Sequence, residues 1–276
     1  MKILNGSELS GYIKERQARQ VRALRQSWHV IPRLAIVRTG DNPVIDTYIC
    51  LKNIYGSDIG VEVDVYTPSD TELLNQIESL NRDNNVHGII IQLPLSDNSQ
   101  TDAAVSAVNP AKDVDGLGGN SVFTPATAMA IDWLLAGYNV ALFEKKIVIV
   151  GNGRLVGAPL SKLWKSSGLD VVVCDSKTLD LTGVLKEADI IVTATGVPGI
   201  VKSDMIHSGA VVVDAGTASE YGKIVGDLAA DVRERQDLVI TPLKGGVGPL
   251  TVAALFDNVI NAARKIADEN GQQDIR

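Results

Sequence analysis

The chain is poor in the residues that mark whole classes of protein. It has two cysteines, Cys50 and Cys174, each inside a periodic stretch and without paired spacing, which excludes a disulfide framework and a cysteine metal site. No Lys/Arg run exceeds two residues, and the net charge of -7 repels a polyanion, so nucleic acid is excluded as a partner. No apolar run approaches the ~20 residues that cross a bilayer, which excludes a membrane span. The start, "MKILNGSELSGYIKER", lacks the apolar core and cleavage site of a signal peptide. The expectation is a cytoplasmic protein with its two thiols buried and free. Repeats and low-complexity segments are also missing.

What is present is the composition of a folded protein: 276 residues, 45% apolar and 21% charged, enough for about two domains. Helical and strand patterns alternate. Strands are expected at "RLAIVRT", "VEVDVYT" and "HGIIIQLPL", with helices at "SELSGYIKERQARQVRALRQ", "PVIDTYICLKNIYGSDIG" and "DTELLNQIESLNRD". After the linker "VNPAKDVDGLGGN" and the helix "ATAMAIDWLLAGY", strands resume at "KIVIV", "DVVVC", "DIIVTA", "AVVVDA" and "DLVIT". Such β-branched runs suit strands of a parallel sheet buried on both faces. The expected fold is α/β in two lobes: residues 1–118 plus 250–276, and residues 119–249. The long last helix, "GPLTVAALFDNVINAARKIADE", returns to the first lobe.

The stretch "KIVIVGNGRLVGAPLSKLW" runs from strand through glycine-rich turn to helix, the arrangement that presents free N–H groups to a pyrophosphate. Gly151, Gly153 and Gly157 carry the turn, with Asn152, Arg154 and Val156 between them. The second lobe therefore reads as a Rossmann-type nucleotide-binding sheet. The next strand ends at Asp175, followed by Ser176, where an adenosine ribose is read. A carboxylate suits the diol of NAD; against the phosphate of NADP, two like charges ~4 Å apart repel by about 4 kcal/mol. Unless Arg154 or Lys177 neutralises it, NAD is favoured.

In the first lobe, Asn42 caps and Pro43 starts a helix, placing Tyr48 and Lys52 four apart on one face. Short-chain dehydrogenases carry a similar pair, but downstream of their glycine loop, the reverse of the order here. Gln92 and Pro94 lie at the end of a strand, where ligands of open α/β sheets bind. "KDVDG" packs two carboxylates into one loop, as an Asx-turn or as a contact to a polar ligand. "PLKGGVGPL" exposes backbone just before a helix, as a flat ligand's wall or as a linker.

Taken in order, "KILNG", "GDNPVIDTYICLK", "GIIIQLPL", "NPAKDVDG", "GNGRLVGAP", "DSKT", "ADIIVTATG", "GAVVVDAG" and "ITPLKGGVGPLTVAAL" resemble the methylenetetrahydrofolate dehydrogenase/cyclohydrolase (FolD) family. The resemblance implies a homodimer, with folate in the cleft between the lobes. It implies oxidation of 5,10-methylenetetrahydrofolate with NADP and hydrolysis of the methenyl product to 10-formyltetrahydrofolate. It gives Lys52 as the catalytic lysine, Tyr48 as the aromatic ordering folate and lysine, and Gln92 as the amide tuning that lysine. Asp115 holds the pterin edge, with Pro94, Gly245, Gly246, Gly248 and Pro249 about the substrate and Thr195 and Gly196 at the nucleotide.

The departures concentrate on the nucleotide side. The family's Gly-Arg-Ser-x-x-Val-Gly reads Gly151-Asn152-Gly153-Arg154-Leu155-Val156-Gly157, without the arginine that meets the NADP phosphate. Asp175 replaces a common His, Lys244 a proline and Ile45 a serine, and Phe-x-Pro-Cys-Thr-Pro-x-Gly reads "FTPATAMA". Altered cofactor choice explains this pattern better than lost catalysis. Two alternatives stand beside it: a dehydrogenase of similar architecture on another small substrate, and a catalytically silent nucleotide-binding sensor.

Overall fold

The computed structural model describes residues 1–40, 42–220 and 223–273. In chain order the first elements are β1 (Lys2–Ile3), α1 (Gly6–Trp28), β2 (Arg33–Val37), α2 (Pro43–Ile59), β3 (Glu62–Tyr66), α3 (Leu73–Arg82), β4 (Gly88–Ile91) and α4 (Thr101–Ala107). There follow α5 (Ala126–Gly137), β5 (Ile147–Val150), α6 (Gly157–Ser166), β6 (Val171–Cys174), α7 (Leu181–Lys186), β7 (Ile190–Thr193) and β8 (Val211–Asp214). The last are β9 (Ala218–Glu220), β10 (Lys223–Val225), α8 (Ala230–Arg233), β11 (Val239–Ile240) and α9 (Val247–Gln273). Two compact units result, Gly11–Ala126 with Val252–Arg276, and Met1–Ser10 with Thr127–Thr251.

The first unit is built on a parallel sheet in the order β3-β2-β4. Leu34, Ala35, Ile36 and Val37 of the central strand are fully buried, as a strand covered on both faces requires. The chain leaves β2 for β3 on one side and then reaches β4 on the other. The loops after β2 and β4 thus diverge at the carboxyl ends of the strands, the position where such sheets bind ligands. Leu73, Ile77 and Leu80 of α3 and Ala104 and Val105 of α4 cover the sheet beside Ile89 and Ile91. Tyr55 of α2 stacks on Phe256 of α9 at 5.1 Å and donates to Gln17 Oε1 of α1 at 2.8 Å. The Gln17 amide in turn donates to the Ala253 carbonyl at 2.8 Å, so α1, α2 and α9 are tied by one polar chain inside the core.

Of the two thiols expected to be buried, Cys174 is buried and Cys50 is exposed. The inward stripe of α2 runs through Ile45, Ile49, Tyr55 and Ile59, and position 50 falls off it.

His87, just before β4, is a buried structural histidine whose Nδ1 accepts the Arg33 N–H at 3.2 Å. Burial, with the nearby charges of Lys112 and Arg33, holds its pKa down at about 4, from an ordinary 6.5. The ring is therefore neutral in the fold while the unfolded chain takes up a proton first. The stability it supplies is present above pH 6.5 and is lost as pH falls from 6.5 to about 4. The urea midpoint is expected to drop across that window in the parent protein and to drop less in His87→Gln; equal drops would refute the assignment.

The second unit is a six-stranded, all-parallel sheet in the order β1-β11-β8-β7-β5-β6. From β6 the chain crosses back over β5 to reach β7, so the winding direction reverses between β5 and β7. The Rossmann-type parallel sheet expected of the second lobe is thus the observed one. The first ten residues, assigned above to the first lobe, belong to this unit. Lys2 donates to Leu238 at 3.0 Å and Leu4 to Ile240 at 2.8 Å, and Leu4 is fully buried. No helix of the described residues is long and apolar enough to cross a membrane.

Candidate active site

Lys52 is positioned by a well-started helix. Asn42 Oδ1 accepts the Ile45 N–H at 3.3 Å and Pro43 supplies the first helical residue, whose N–H needs no partner. Lys52 then lies one turn beyond Tyr48, and both side chains are half-buried. Gln92 follows β4 directly, its backbone N–H held by the Val37 carbonyl at 2.8 Å. The Lys52 Nζ donates to Gln92 Oε1 at 2.6 Å, so the helix after β2 and the end of β4 meet in one contact at the divergence of the two loops. Pro94 is two residues on, exposed, after a cis Leu93–Pro94 bond.

Asp115 completes the group. Burial pushes its carboxyl up and Lys52 pulls it back, while burial lowers the Lys52 amine and Asp115 raises it. An amine and an acid whose pKa values burial draws toward each other can exchange protons more readily than an exposed pair. Asp115 borders a small cavity shared with Ile91, Asp113 and Leu117.

The two carboxylates of "KDVDG" have separate tasks. Asp113 is the turn-maker, accepting the Gly116 N–H at 3.1 Å and the Gly118 N–H at 2.7 Å. The Asp115 carboxylate takes no part in that turn. Asn258, a buried residue of α9 that the periodicity of the last helix conceals, donates to the carbonyls of Val114 at 2.8 Å and Thr124 at 3.0 Å, clamping both ends of the Asp115 loop. An Asn in an otherwise apolar helical stripe is the one signal that pointed to it.

In the second unit the turn between β5 and α6 has the form a pyrophosphate needs. Gly151 adopts φ +106°, and a Cβ there would stand 2.4 Å from the Ala194 carbonyl oxygen. A Cβ on Gly157 would stand 1.9 Å from the Gly151 carbonyl oxygen, so α6 begins hard against the turn. Both glycines are thus required by close backbone approach. Gly153 has nothing within 4 Å of a Cβ, and Asn152, Gly153 and Arg154 are exposed. Val156, half-buried, immediately precedes the helix. Thr195 and Gly196 follow β7, across the reversal point from Gly151.

Asp175 lies just past the end of β6 with Ser176 beside it, both exposed. Its Oδ1 accepts the Lys177 N–H at 2.8 Å, an Asx-turn that fixes the carboxylate at the strand end. A cradle closed to a Cβ at two points, at a topological reversal, with an acid at the end of the next strand, fits a dinucleotide.

Gly245 and Gly246 lie between β11 and α9, and Gly248 and Pro249 in the first turn of α9. Gly245 has φ +82°, its carbonyl accepts the Ser7 N–H at 3.0 Å, and Ser10 Oγ donates to the Pro249 carbonyl at 3.2 Å. Lys52, Gln92 and Asp115 are therefore gathered in the first unit, and the glycine turn, Thr195 loop and Gly245 segment belong to the second. No cluster of the described residues can hold a metal ion.

Comparison with known proteins matches both units. Residues 4–115 fit the tetrahydrofolate dehydrogenase/cyclohydrolase catalytic domain, and residues 125–267 its NAD(P)-binding domain. The bifunctional protein FolD of Paraburkholderia xenovorans is 37% identical, over 98% of this chain and 99% of its own. The crystal structure of the bifunctional FolD enzyme from Campylobacter jejuni superposes with a TM-score of 0.90 at 36% identity, covering 96% of this chain and 99% of that one. A Trypanosoma brucei FolD structure, complexed with NADP cofactor and inhibitor, gives 0.89 at 29% identity over 95% and 97%. Neither another small substrate nor a silent sensor is favoured beside these likenesses. The chain belongs to the tetrahydrofolate dehydrogenase/cyclohydrolase family: it is an enzyme that oxidises 5,10-methylenetetrahydrofolate to the methenyl form with a nicotinamide dinucleotide and hydrolyses the methenyl form to 10-formyltetrahydrofolate.

Proposed function

We propose that Lys52 is the proton-handling group of both reactions, that Gln92 and Tyr48 set its position, and that Asp115 holds the folate. The observation that carries this is the 2.6 Å Lys52–Gln92 contact in an enclosed site facing one carboxyl group. In hydrolysis, water adds to the electrophilic methenyl carbon and its proton passes to the neutral Lys52 amine. The bond from that carbon to one folate nitrogen then breaks as the added hydroxyl passes its proton to that nitrogen and becomes the formyl carbonyl, and the proton held by Lys52 is released to solvent. Gln92 Oε1 aims the amine, which therefore meets the reacting water in one orientation. Tyr48, one turn before Lys52, supplies an aromatic wall beside it. Pro94, Gly245, Gly246, Gly248 and Pro249 line the folate.

A nicotinamide dinucleotide, when bound, takes the hydride from the methylene carbon. Gly151, Asn152, Gly153, Arg154, Val156 and Gly157 hold its pyrophosphate, Thr195 and Gly196 lie at the reversal point beside it, and Asp175 and Ser176 meet its adenosine ribose. NAD is the preferred nucleotide, supported by Asn152 where the family has arginine and by the fixed carboxylate of Asp175. A cytoplasmic homodimer is the expected state, supported by the free thiols and by family likeness.

The assay mixes protein, methylenetetrahydrofolate and nucleotide, and follows methenyl absorbance. It is expected to rise and then decay, and methenyl substrate supplied alone is expected to decay without nucleotide. Decay no faster than in buffer would remove the lysine's role. A sedimentation mass near 29.4 kDa rather than twice that would remove the dimer.

A further inference from the structure

Two carboxyl groups lie beneath the loop that follows β7, in opposite circumstances. Asp214, the last residue of β8, has a side chain 3% exposed and fully answered. Its Oδ1 accepts from Thr193 Oγ1 at 3.1 Å, the Gly216 N–H at 3.2 Å and the Asp227 N–H at 3.0 Å. Its Oδ2 accepts from the Leu228 N–H at 3.4 Å and from the Arg233 guanidinium at 2.5 Å. Asp227 has no such set. It is fully buried, its Oδ2 accepts the Thr195 N–H at 2.7 Å, and its Oδ1 has no hydrogen-bond partner.

Among the described residues, the charged group acting on Asp227 is Asp214 from β8, which is itself paired with Arg233 from α8. The Val201 N–H donates to the Asp227 backbone carbonyl at 3.3 Å. Among the described residues, the Arg233 cation is thus already paired with Asp214, and the charge that acts on Asp227 is negative. A buried anionic oxygen without a donor is costly, and a neutral carboxyl removes most of that cost. Burial is the largest effect and pushes this acid up, the N–H and hydroxyl of Thr195 pull it down, and the Asp214 charge pushes up against a weaker pull from the Gly196 N–H.

Gly216 makes room for the group, since a Cβ there would stand 2.0 Å from Asp227 Oδ1. The bond to Thr195 has a consequence beyond packing. Ala194, next to Thr195, sets its carbonyl oxygen 2.4 Å from where a Cβ on Gly151 would be, so the loop fixed by Asp227 is the loop against which the glycine turn is shaped. Thr195 Oγ1 also accepts the Val197 N–H at 3.0 Å, which closes the loop on itself.

We propose that Asp227 is a positioning residue for the nicotinamide dinucleotide: its buried carboxyl group holds the Thr195 N–H at Oδ2, and through it the loop that abuts Gly151. This rests on the assignment of the glycine turn and the Thr195 loop to the nucleotide. The experiment measures KM for nucleotide in methylene oxidation, and methenyl hydrolysis without nucleotide, in Asp227→Ala, Asp227→Asn and Gly157→Ala. Asp227→Ala is expected to raise nucleotide KM about tenfold or more with nucleotide-free hydrolysis unchanged within about twofold. The conservative Asp227→Asn keeps an acceptor for the Thr195 N–H and puts an amide nitrogen in place of the other carboxyl oxygen, and is expected to restore KM to within about threefold.

An unchanged KM in Asp227→Ala, equal loss of both activities, or no rescue by Asn would overturn the proposal. Where the alanine variant does not fold, pH replaces it. Nucleotide KM is expected to rise with pH in the parent, as the acid ionises beside Asp214, and to stay flat in Asp227→Asn; a flat parent overturns the proposal. Gly157→Ala separates the two levels. An unchanged KM there removes the nucleotide assignment and the proposal together, whereas a raised KM there with none in Asp227→Ala removes the proposal alone.

Discussion

Replacing Lys52 by Met is expected to slow methenyltetrahydrofolate hydrolysis about a hundredfold or more, the loss that follows removal of a positioned proton-transfer group. Methionine fills nearly the same volume without the amine, so the helix and its packing on the Gln92 side remain, and only the Gln92 oxygen loses its donor. The effect falls on chemistry rather than on folding, and the thermal midpoint should move little. The pH dependence gives a second reading of the same group. Burial lowers the Lys52 pKa from 10.5, so hydrolysis in the parent should rise with pH and level off at a midpoint below that value. The charge of Asp115 raises the amine's pKa, so Asp115→Asn should move the midpoint lower still while weakening folate binding. Hydrolysis unchanged in Lys52→Met would remove this residue from the mechanism. A midpoint that moved upward in Asp115→Asn would show that the two groups are not coupled as the structure has them.

The periodic parts of this site were legible because they obey local rules. Asn42 and Pro43 announce a helix start, and the spacing from Tyr48 to Lys52 needs only that helix. The strands of both sheets were legible for the same reason, since runs such as "IVIV" and "VVVC" leave few other structures open. The pairing of β1 with β11 was not, because a two-residue strand has no periodicity and its partner lies at the far end of the chain. The short helix α4 was hidden in "TDAAVSA" for want of a long enough pattern.

Buried polar residues were the least legible. Lys112 in "KDVDG" reads as a loop charge, yet its amine is buried and donates to the carbonyls of Leu80, Asn81 and Asp83, closing the end of α3. Asn258 and Asp227 are of the same kind. Each is explained by partners distant in sequence, and a spacing rule has no access to those.

The nucleotide preference is expected to favour NAD over NADP by roughly a hundred- to a thousandfold in kcat/KM, on the basis of one charge and one absence. Asp175 cannot easily turn away, because its Oδ1 is held by the Lys177 N–H and its own N–H by Thr178 Oγ1 at 3.0 Å. A phosphate on the adenosine ribose would then stand about 4 Å from a fixed carboxylate, a repulsion of about 4 kcal/mol at an effective dielectric near 20. That corresponds to about three orders of magnitude in affinity, and salt screening at this exposed position reduces it toward the lower figure. Replacing Asp175 by Asn keeps the turn and removes the charge, so most of the discrimination should vanish while the NAD reaction loses only the ribose contact. Asn152→Arg with Gly153→Ser should then raise the NADP reaction further, since nothing within 4 Å obstructs a side chain at 153 and position 152 is exposed. A parent enzyme that strongly prefers NADP would mean that Arg154 supplies the missing cation from two positions further along the turn, and Arg154→Ala would then abolish that preference.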